Sequence, residues 1–256
     1  MARFNINFYP HALCRNVSFN MFIPNDPRGD ETENRKMKTV FYLHGYTGCA
    51  EDFWYLTDVA EKYHYAMVMP NGENSFYLDG EATGDNYCSY VGEELVEYIR
   101  KTFGLAMAKE DTYICGLSMG GFGALHTGLA YPETFSKIVA LSSALIVNEI
   151  AQLKVGESNE VANYAYYTKC FGDLNTVKES VNNPEKLVKN LMEKNIPMPE
   201  IYMACGTEDF LLDKNREFHE FLEDSGVKHC YYESKGIHDG VFWNEYFRKS
   251  AEWLFA

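Results

Sequence analysis

The sequence predicts an α/β protein with a central, mostly parallel sheet of about eight strands flanked by helices. Short apolar runs alternate with segments of helical periodicity along most of the 256 residues. This alternation favours parallel strands joined by right-handed helical crossovers. With 46% hydrophobic residues the chain can bury a large core, and we expect residues 1–256 to form a single domain.

The charge and the cysteine content argue against several classes of protein. The chain has 37 acidic and 23 basic residues, and its net charge of −14 argues against nucleic acid or an anionic membrane as a partner. We find no apolar stretch typical of a secretory signal and no span long enough to cross a bilayer. The seven cysteines are scattered without a Cys-x-x-Cys pair, which predicts neither a disulfide framework nor a zinc site. We therefore expect a cytoplasmic protein without metal or cofactor.

The first half of the chain predicts a sheet that begins with antiparallel edge strands. In order, we expect strands at 4–9 and 14–23, a polar connection at 24–36, a strand at 39–43, a helix at 53–63 and a strand at 65–69. The run 39–43 is continuously apolar, as expected of a central strand buried on both faces. Residues 72–90 are irregular and aromatic, which is typical of a loop that lines a pocket.

The second half continues the alternation, with one interruption. We expect helices at 92–103, 183–194, 216–222 and 241–254, and strands before Gly116 and at 138–141, 201–205 and 229–233. Residues 142–172 show no clean period. They are interpreted either as a small insertion over the active site or as an ordinary connecting helix.

The stretch Gly116-Leu-Ser-Met-Gly120 lies between a predicted strand and a predicted helix, and it makes Ser118 the candidate nucleophile. A serine hydroxyl is a poor nucleophile, so it must be held exposed beside a base and beside donors for an oxyanion. Glycine at positions 116 and 120 permits the sharp strand-to-helix turn that exposes the serine. The N-terminus of the following helix favours developing negative charge.

A base and an acid follow Ser118 in the order that such a serine requires. Asp209 lies just beyond the strand 201–205, and His238 lies beyond the strand 229–233. Since the carboxyl ends of parallel strands meet at one edge of a sheet, the three side chains can converge. Asp213 and Asp239 are rival carboxylates. Asp213 is better placed to cap the next helix, and Asp239 is adjacent to the histidine in sequence and poorly placed to orient its ring.

The segment His44-Gly-Tyr46 follows the central strand, where a second oxyanion donor is expected. We expect the backbone N–H groups of Tyr46 and Met119 to be the two donors, with Gly45 permitting a close approach. His44 is interpreted as a structural residue that braces this loop.

Several motifs occur in an order that marks a family. They are Tyr42-Leu-His-Gly-Tyr46, Met69-Pro-Asn-Gly72, Ser75-Phe-Tyr77, Gly116-Leu-Ser-Met-Gly-Gly121 with Gly123-Ala-Leu125, Gly206-Thr-Glu-Asp-Phe210 with Asn215, and His238-Asp with Phe242-Trp243. With them the chain resembles the esterase D group of α/β-hydrolases, and within it the tributyrin and acetyl esterases. The resemblance implies the α/β-hydrolase fold, carboxylic ester hydrolysis and the same site residues, namely Ser118, Asp209, His238, Tyr46 and Met119. Family members often self-associate, so a homo-oligomer is consistent with it.

Two positions depart from the family pattern. S-formylglutathione hydrolases usually carry histidine before the serine, where this chain has Leu117, and the family's frequent tryptophan is replaced by Phe76. We predict a substrate pocket formed by Gly45, Phe76, Tyr77 and Tyr87.

The leading hypothesis is a serine carboxylesterase that hydrolyses acetyl to butyryl esters of small molecules, including O-acetylated sugars, through an acyl-serine intermediate. The alternatives with the same triad are an S-formylglutathione hydrolase-like thioesterase, a feruloyl esterase and an acyltransferase. A non-catalytic binding protein is disfavoured because every catalytic position is filled. A cysteine hydrolase is disfavoured because Cys115 is internal to a strand and Cys49 and Cys88 lack a comparable turn.

Overall fold

The computed structural model describes residues 1–25 and 36–256, and one eight-stranded sheet runs through them. The strands are β1 (Ala2–Phe8), β2 (Val17–Ile23), β3 (Lys38–Leu43), β4 (Tyr65–Pro70), β5 (Thr112–Leu117), β6 (Lys137–Leu141), β7 (Glu200–Gly206) and β8 (His229–Ser234). Their order across the sheet is β1-β2-β4-β3-β5-β6-β7-β8. Strand β2 is antiparallel to β1 and β4, and the other neighbours are parallel. The predicted fold class is confirmed. The polar connection predicted at 24–36 lies, from 26 to 35, outside the described residues.

Helices follow the parallel strands as the alternation predicts. They are α1 (Thr57–Tyr63), α2 (Tyr87–Ser89), α3 (Leu95–Phe103), α4 (Met119–Ala130), α5 (Val147–Ile150), α6 (Tyr164–Phe171), α7 (Pro184–Glu193), α8 (Leu212–Asp224) and α9 (Gly240–Leu254). Short 3₁₀ helices lie at His11–Leu13, Ala50–Leu56, Lys109–Asp111 and Val177–Glu179, and a turn of π-helix at Tyr90–Glu94 leads into α3. Within the described residues, no helix is both long enough and apolar enough to span a membrane. All seven cysteines are free.

The core lies on both faces of the sheet, because its central strands are buried at nearly every position. Alternate residues of one strand point to opposite faces, so Phe41 packs against Phe135 on one face while Tyr42 packs against Phe53 and Phe247 on the other. Helix α4 is buried along almost its whole length, which explains why it is apolar on every face. The sheet and α4 therefore form a rigid support for the loops at the carboxyl ends of the strands.

A buried carboxylate ties together the beginnings of the two central strands. Asp111, directly before β5, is ion-paired with Lys36 and, at 2.8 Å, with Lys38 of β3, and its side chain is only 7% exposed. Burial raises the pKa of Asp111, but the two ammonium groups outweigh burial and hold the pKa below its usual value. This carboxyl therefore stays ionised and aligns the start of the strand that ends at Ser118.

We expect Asp111→Asn to lower the free energy of unfolding by about 1–2 kcal/mol at pH 7, because the buried position loses the charge that pairs with Lys36 and Lys38. A carboxyl whose folded-state pKa is depressed stabilises the protein above its unfolded-state pKa. The difference between the variant and the wild type should therefore shrink as the pH falls through about 4 and below. Urea unfolding at a series of pH values measures the free energy of unfolding of the two proteins. Glu97→Gln is the matched control, since Glu97 forms an exposed pair with Lys101 and should change stability by no more than about 0.5 kcal/mol. Equal losses in the two variants would contradict the prediction.

Candidate active site

Ser118 occupies a strained turn between β5 and α4. Its φ of 54° and ψ of −120° lie in a region that non-glycine residues rarely adopt. Two backbone hydrogen bonds hold it there: the Ser118 N–H donates to the Leu141 carbonyl at 2.9 Å, and the Ser118 carbonyl accepts from the Ala144 N–H at 3.0 Å. The neighbouring strand β6 and the segment after it thus fix the orientation of the hydroxyl.

The glycines on either side of Ser118 are required by close backbone contacts. A Cβ atom at Gly116 would lie 1.9 Å from the Gly120 carbonyl oxygen, and one at Gly120 would lie 2.0 Å from the carbonyl oxygen of Leu43. No side chain fits at either position. The N-terminus of α4 therefore presses directly against the ends of β3 and β5.

Three side chains that are distant in sequence meet beside this turn. His238 Nε2 lies 2.9 Å from Ser118 Oγ, and His238 Nδ1 lies 2.9 and 3.0 Å from the two carboxylate oxygens of Asp209. Ser118, Asp209 and His238 follow β5, β7 and β8, so parallel strands deliver all three to one edge of the sheet. The structure brings together the serine, acid and histidine that the sequence singled out.

The charge of Asp209 orients the histidine ring. Its side chain is fully buried, and burial raises the carboxyl pKa. The hydrogen bond from His238 and the Leu211 N–H, which donates to Asp209 Oδ1 at 2.9 Å, outweigh burial, so the pKa of Asp209 is lowered. An ionised carboxylate accepts hydrogen bonds only, so Nδ1 of His238 carries the proton and the lone pair of Nε2 in the neutral ring faces the hydroxyl of Ser118.

The rival carboxylates lie elsewhere. The Asp213 side chain is 90% exposed in the first turn of α8, 4.0 Å from Arg216. The expectation that Asp213 caps this helix is wrong, because the chain enters α8 through Leu211, whose side chain makes no cap. Asp239 caps α9 by accepting from the N–H groups of Val241 and Phe242.

His44 braces the loop after β3. Its Nε2 accepts from the Gly72 N–H at 2.9 Å, so its Nδ1 carries the proton and donates to the Gly45 carbonyl at 2.8 Å. Burial lowers the pKa of His44, which keeps the ring neutral. The Gly45 carbonyl belongs to the same peptide unit as the Tyr46 N–H, so this hydrogen bond fixes the direction of that N–H.

The backbone N–H groups of Tyr46 and Met119 have no acceptor among residues 1–25 and 36–256. Both residues line the same cavity as Ser118. Two free backbone donors beside a serine hydroxyl can stabilise negative charge on a carbonyl oxygen. The close approach at Gly45, where a Cβ would lie 2.9 Å from Leu117 Cδ1, brings the Tyr46 loop against the serine turn.

The cavity beside Ser118 has a volume of about 900 Å³ and is lined by two of the four predicted pocket residues, Gly45 and Phe76. The other two predictions are wrong. Tyr77 is fully buried and donates its hydroxyl to the His44 carbonyl at 3.2 Å. Tyr87 lines a separate cavity of about 320 Å³ and bonds to Arg15 through its hydroxyl at 2.5 Å. Their rings pack the 72–90 loop onto the core.

Sequence reasoning missed several residues of the site. The rings of Phe210 and Trp243 lie 4.6 and 4.9 Å from the imidazole of His238. Trp243 Nε1 also donates to Ser142 Oγ at 3.1 Å, which anchors the indole against the turn after β6. Phe210 directly follows Asp209, and Trp243 belongs to the motif that begins at His238. Their closeness in sequence to Asp209 and His238 could have indicated that they lie at the site. Further lining residues come from the segment 142–172. Its sequence shows no helix or strand periodicity from which their positions could be predicted.

Comparisons with known proteins identify the family. The family model described as "Putative esterase" matches residues 11–254. An acetyl esterase of Caldicellulosiruptor saccharolyticus is 39% identical, over 99% of this chain and 98% of that protein.

Two solved structures from Staphylococcus aureus share the fold. The fluorophosphonate-binding serine hydrolase FphF superposes with a TM-score of 0.85 at 23% identity, over 100% of this chain and 98% of that one. The S-formylglutathione hydrolase FrmB superposes with a TM-score of 0.84 at 23% identity, over 100% and 99% of the two chains. Because the family model covers nearly the whole chain and the acetyl esterase is similar from end to end, the protein belongs to the putative esterase family and is a carboxylic ester hydrolase.

Proposed function

We propose that the protein is a serine carboxylesterase that hydrolyses acetyl to butyryl esters, including O-acetyl groups of sugars, through an acyl intermediate on Ser118. The observation that carries the proposal is the continuous hydrogen-bonded chain from Ser118 through His238 to Asp209, at a backbone turn that exposes the serine. The likeness to an acetyl esterase supports the acetyl end of the range.

In the acylation step Ser118 Oγ attacks the ester carbonyl carbon while His238 Nε2 takes the hydroxyl proton. The carbonyl oxygen becomes an oxyanion and accepts hydrogen bonds from the N–H groups of Tyr46 and Met119. His238 then gives its proton to the departing alcohol oxygen as the ester C–O bond breaks. A water molecule, deprotonated by the same nitrogen, attacks the acyl-serine and releases the acid and the free serine.

His44 is a positioning residue in this mechanism. The transition state gains from donors that are already aligned, since no reorganisation is needed as charge develops. The hydrogen bonds of His44 to Gly45 and Gly72 supply that alignment for the Tyr46 N–H. A neutral ring suits the task, because Nε2 has to accept from Gly72 while Nδ1 donates.

The acyl side of the cavity is closed by Phe76. Its ring centroid lies 4.8 Å from that of Phe171 and 5.5 Å from that of Phe122, so two further rings support it from behind. Both Phe76 and Tyr77 have positive φ angles, 55° and 54°, which fix the direction in which Phe76 points. A backed aromatic wall beside the serine suits a short acyl chain and obstructs a long one.

The proposal also includes a role for the segment 142–172. This segment supplies residues to the cavity wall and acts as a small insertion over the site. A thioesterase, a feruloyl esterase or an acyltransferase would use the same three side chains, and each is distinguished by its preferred substrate or acceptor. We place the protein in the cytoplasm, which suits its seven free cysteines.

We expect Ser118→Ala to abolish labelling by a fluorophosphonate probe and to lower kcat on p-nitrophenyl acetate by about 10⁴-fold or more, because no other side chain supplies the nucleophile. In-gel fluorescence and steady-state kinetics provide the two measurements. Cys49→Ser is the control and should label normally, since this exposed thiol plays no part in acyl transfer. A Ser118→Ala protein that still labels would refute the proposed function.

Asp209→Asn should lower kcat by roughly 10³- to 10⁴-fold, because an amide facing Nδ1 disfavours the required tautomer and cannot stabilise the imidazolium. Asp213→Asn is the matched control and should keep kcat within about twofold, because its side chain is exposed and distant from the histidine. Kinetics on p-nitrophenyl acetate, with circular dichroism to verify folding, compares them. The reverse ranking would transfer the acid role to Asp213.

The wild-type kcat/KM should peak between acetyl and butyryl and fall at least about tenfold at octanoyl, since a methylene forced against a packed wall costs more than its burial contributes. Removing the ring in Phe76→Ala should raise the octanoate-to-butyrate ratio about tenfold. Tyr87→Phe, in the separate cavity, should leave the ratio unchanged. A series of p-nitrophenyl esters from acetate to palmitate measures these values. A wild-type rate that keeps climbing beyond octanoate would indicate a long acyl tunnel instead.

A further inference from the structure

Four side chains of the cavity wall form a chain of polar contacts. The Tyr167 hydroxyl donates to Asn159 Oδ1 at 3.0 Å, and Asn159 Nδ2 donates to Glu149 Oε1 at 2.8 Å. Glu149 Oε2 is ion-paired with Lys214 Nζ at 3.0 Å. All four residues line the cavity that contains Ser118. The chain joins the segment 142–172 to helix α8.

Most of the hydrogen-bonding capacity of Asn159 is used within the cavity wall. Its Oδ1 also accepts from the N–H groups of Val161 and Ala162, at 3.0 and 2.9 Å, so it organises the loop between α5 and α6. Asn159 therefore positions Glu149 and has little capacity left for a ligand.

Glu149 and Lys214 retain hydrogen-bonding capacity that a ligand can use. Their side chains are 40% and 26% exposed at the cavity. A carboxylate has about four acceptor sites and an ammonium group has three donors, and the contacts within the described residues use only part of them. Burial raises the pKa of Glu149, but Lys214 and Asn159 outweigh it and lower the pKa, so the carboxylate is ionised. Strong acceptors and strong donors therefore stand side by side, as vicinal hydroxyl groups require.

Glu149 and Lys214 share the cavity with His238, the residue whose imidazole faces the leaving alcohol. His238 Nε2 returns its proton to the leaving group, so the alcohol must lie beside the imidazole. The ring of Phe210 lies 4.6 Å from that imidazole. Phe210, just before α8, and Lys214, in the first turn of α8, both line the cavity that contains Ser118.

Phe210 adds an apolar platform beside the polar pair. It is 68% exposed although it is a large hydrophobic side chain, so core packing does not account for it. A sugar ring presents an apolar face of C–H groups and an edge of hydroxyls, and it needs both kinds of contact. Phe210 with Glu149 and Lys214 offers that combination.

The charge of the cavity further restricts which leaving groups the site favours. The described lining residues include the carboxylates Asp52, Glu149 and Glu160 but one ammonium group, that of Lys214, which is already paired. An anionic leaving group would therefore meet an unfavourable potential, in line with the net charge of −14.

We propose that Glu149 and Lys214, with Phe210 as a platform and Asn159 as a positioning residue, form a leaving-group subsite for neutral, polyhydroxylated alcohols and select O-acyl sugars over esters of anionic thiols. The inference rests on the proposed function, because it takes Ser118 as the acylated residue.

The test compares three substrates that share one acyl group: a mono-O-acetylated disaccharide with free hydroxyls, p-nitrophenyl acetate and S-acetylglutathione. In Glu149→Gln and in Lys214→Met, the ratio of kcat/KM for the disaccharide to that for p-nitrophenyl acetate should fall about tenfold, chiefly through KM, as expected for losing a hydrogen bond to a charged group. Phe210→Ala, at an exposed position, should lower the ratio about threefold to tenfold. Glu149→Gln should also raise kcat/KM for S-acetylglutathione relative to p-nitrophenyl acetate by about threefold or more.

Lys186→Met is the matched control, because Lys186 pairs with Glu179 at 3.6 Å outside this cavity, and its ratios should stay within about twofold of wild type. An unfolded fraction lowers both rates alike, so the ratios report on the subsite alone. If the wild type hydrolyses acetyl esters but none of the three subsite variants changes the ratios, the subsite is refuted while the proposed function stands. If the wild type turns over no acetyl ester and Ser118 does not label, both proposals fail.

Discussion

The site depends on one steric constraint, the direct contact between the N-terminus of α4 and the ends of the central strands. Contact distances near 2 Å for any added Cβ at Gly116 or Gly120 mean that the backbones themselves touch there. The turn between them forces Ser118 into a conformation that costs about 1–3 kcal/mol. Hydrogen bonds to Leu141 and Ala144 offset that cost, each contributing about 1 kcal/mol. A relaxed turn would point the hydroxyl away from His238.

The sequence predicted the parts of the molecule that follow from regular periodicity. The continuously apolar runs predicted where the strands lie. The ends of these strands then predicted which loops carry Ser118, Asp209 and His238. The sequence could not decide which carboxylate contacts His238, because a hydrogen bond depends on positions that differ by only a few ångströms. What separates Asp209 from Asp213 is burial and the Leu211 N–H, and neither is visible in the order of residues.

The pocket could not be predicted in the same way, because side-chain direction in an irregular loop depends on backbone angles. The positive φ angles of Phe76 and Tyr77 turn one ring into the cavity and the next into the core, where Tyr77 meets His44. Tyr87 is held by Arg15, which is distant in sequence. In the segment 142–172, most of the buried apolar residues lie on two short helices, α5 and α6, and the loop between the helices is held by the polar contacts of Asn159. Helices this short, interrupted by such a loop, give no continuous period in the sequence.

The two sides of the site consist of different groups, backbone N–H donors on one side and side chains on the other. The proposed oxyanion side consists of backbone N–H groups positioned by the sheet edge, by close-packed glycines and by the neutral ring of His44. The proposed leaving-group side consists of side chains on α5, α8 and the loop between α5 and α6, which contact one another through an ion pair and amide hydrogen bonds. Within the described residues, the side chains of Glu149, Asn159 and Lys214 form no hydrogen bond with Ser118. Substitutions at these positions can therefore change the preferred alcohol, as we propose, while the backbone hydrogen bonds with Leu141 and Ala144 still hold the strained turn.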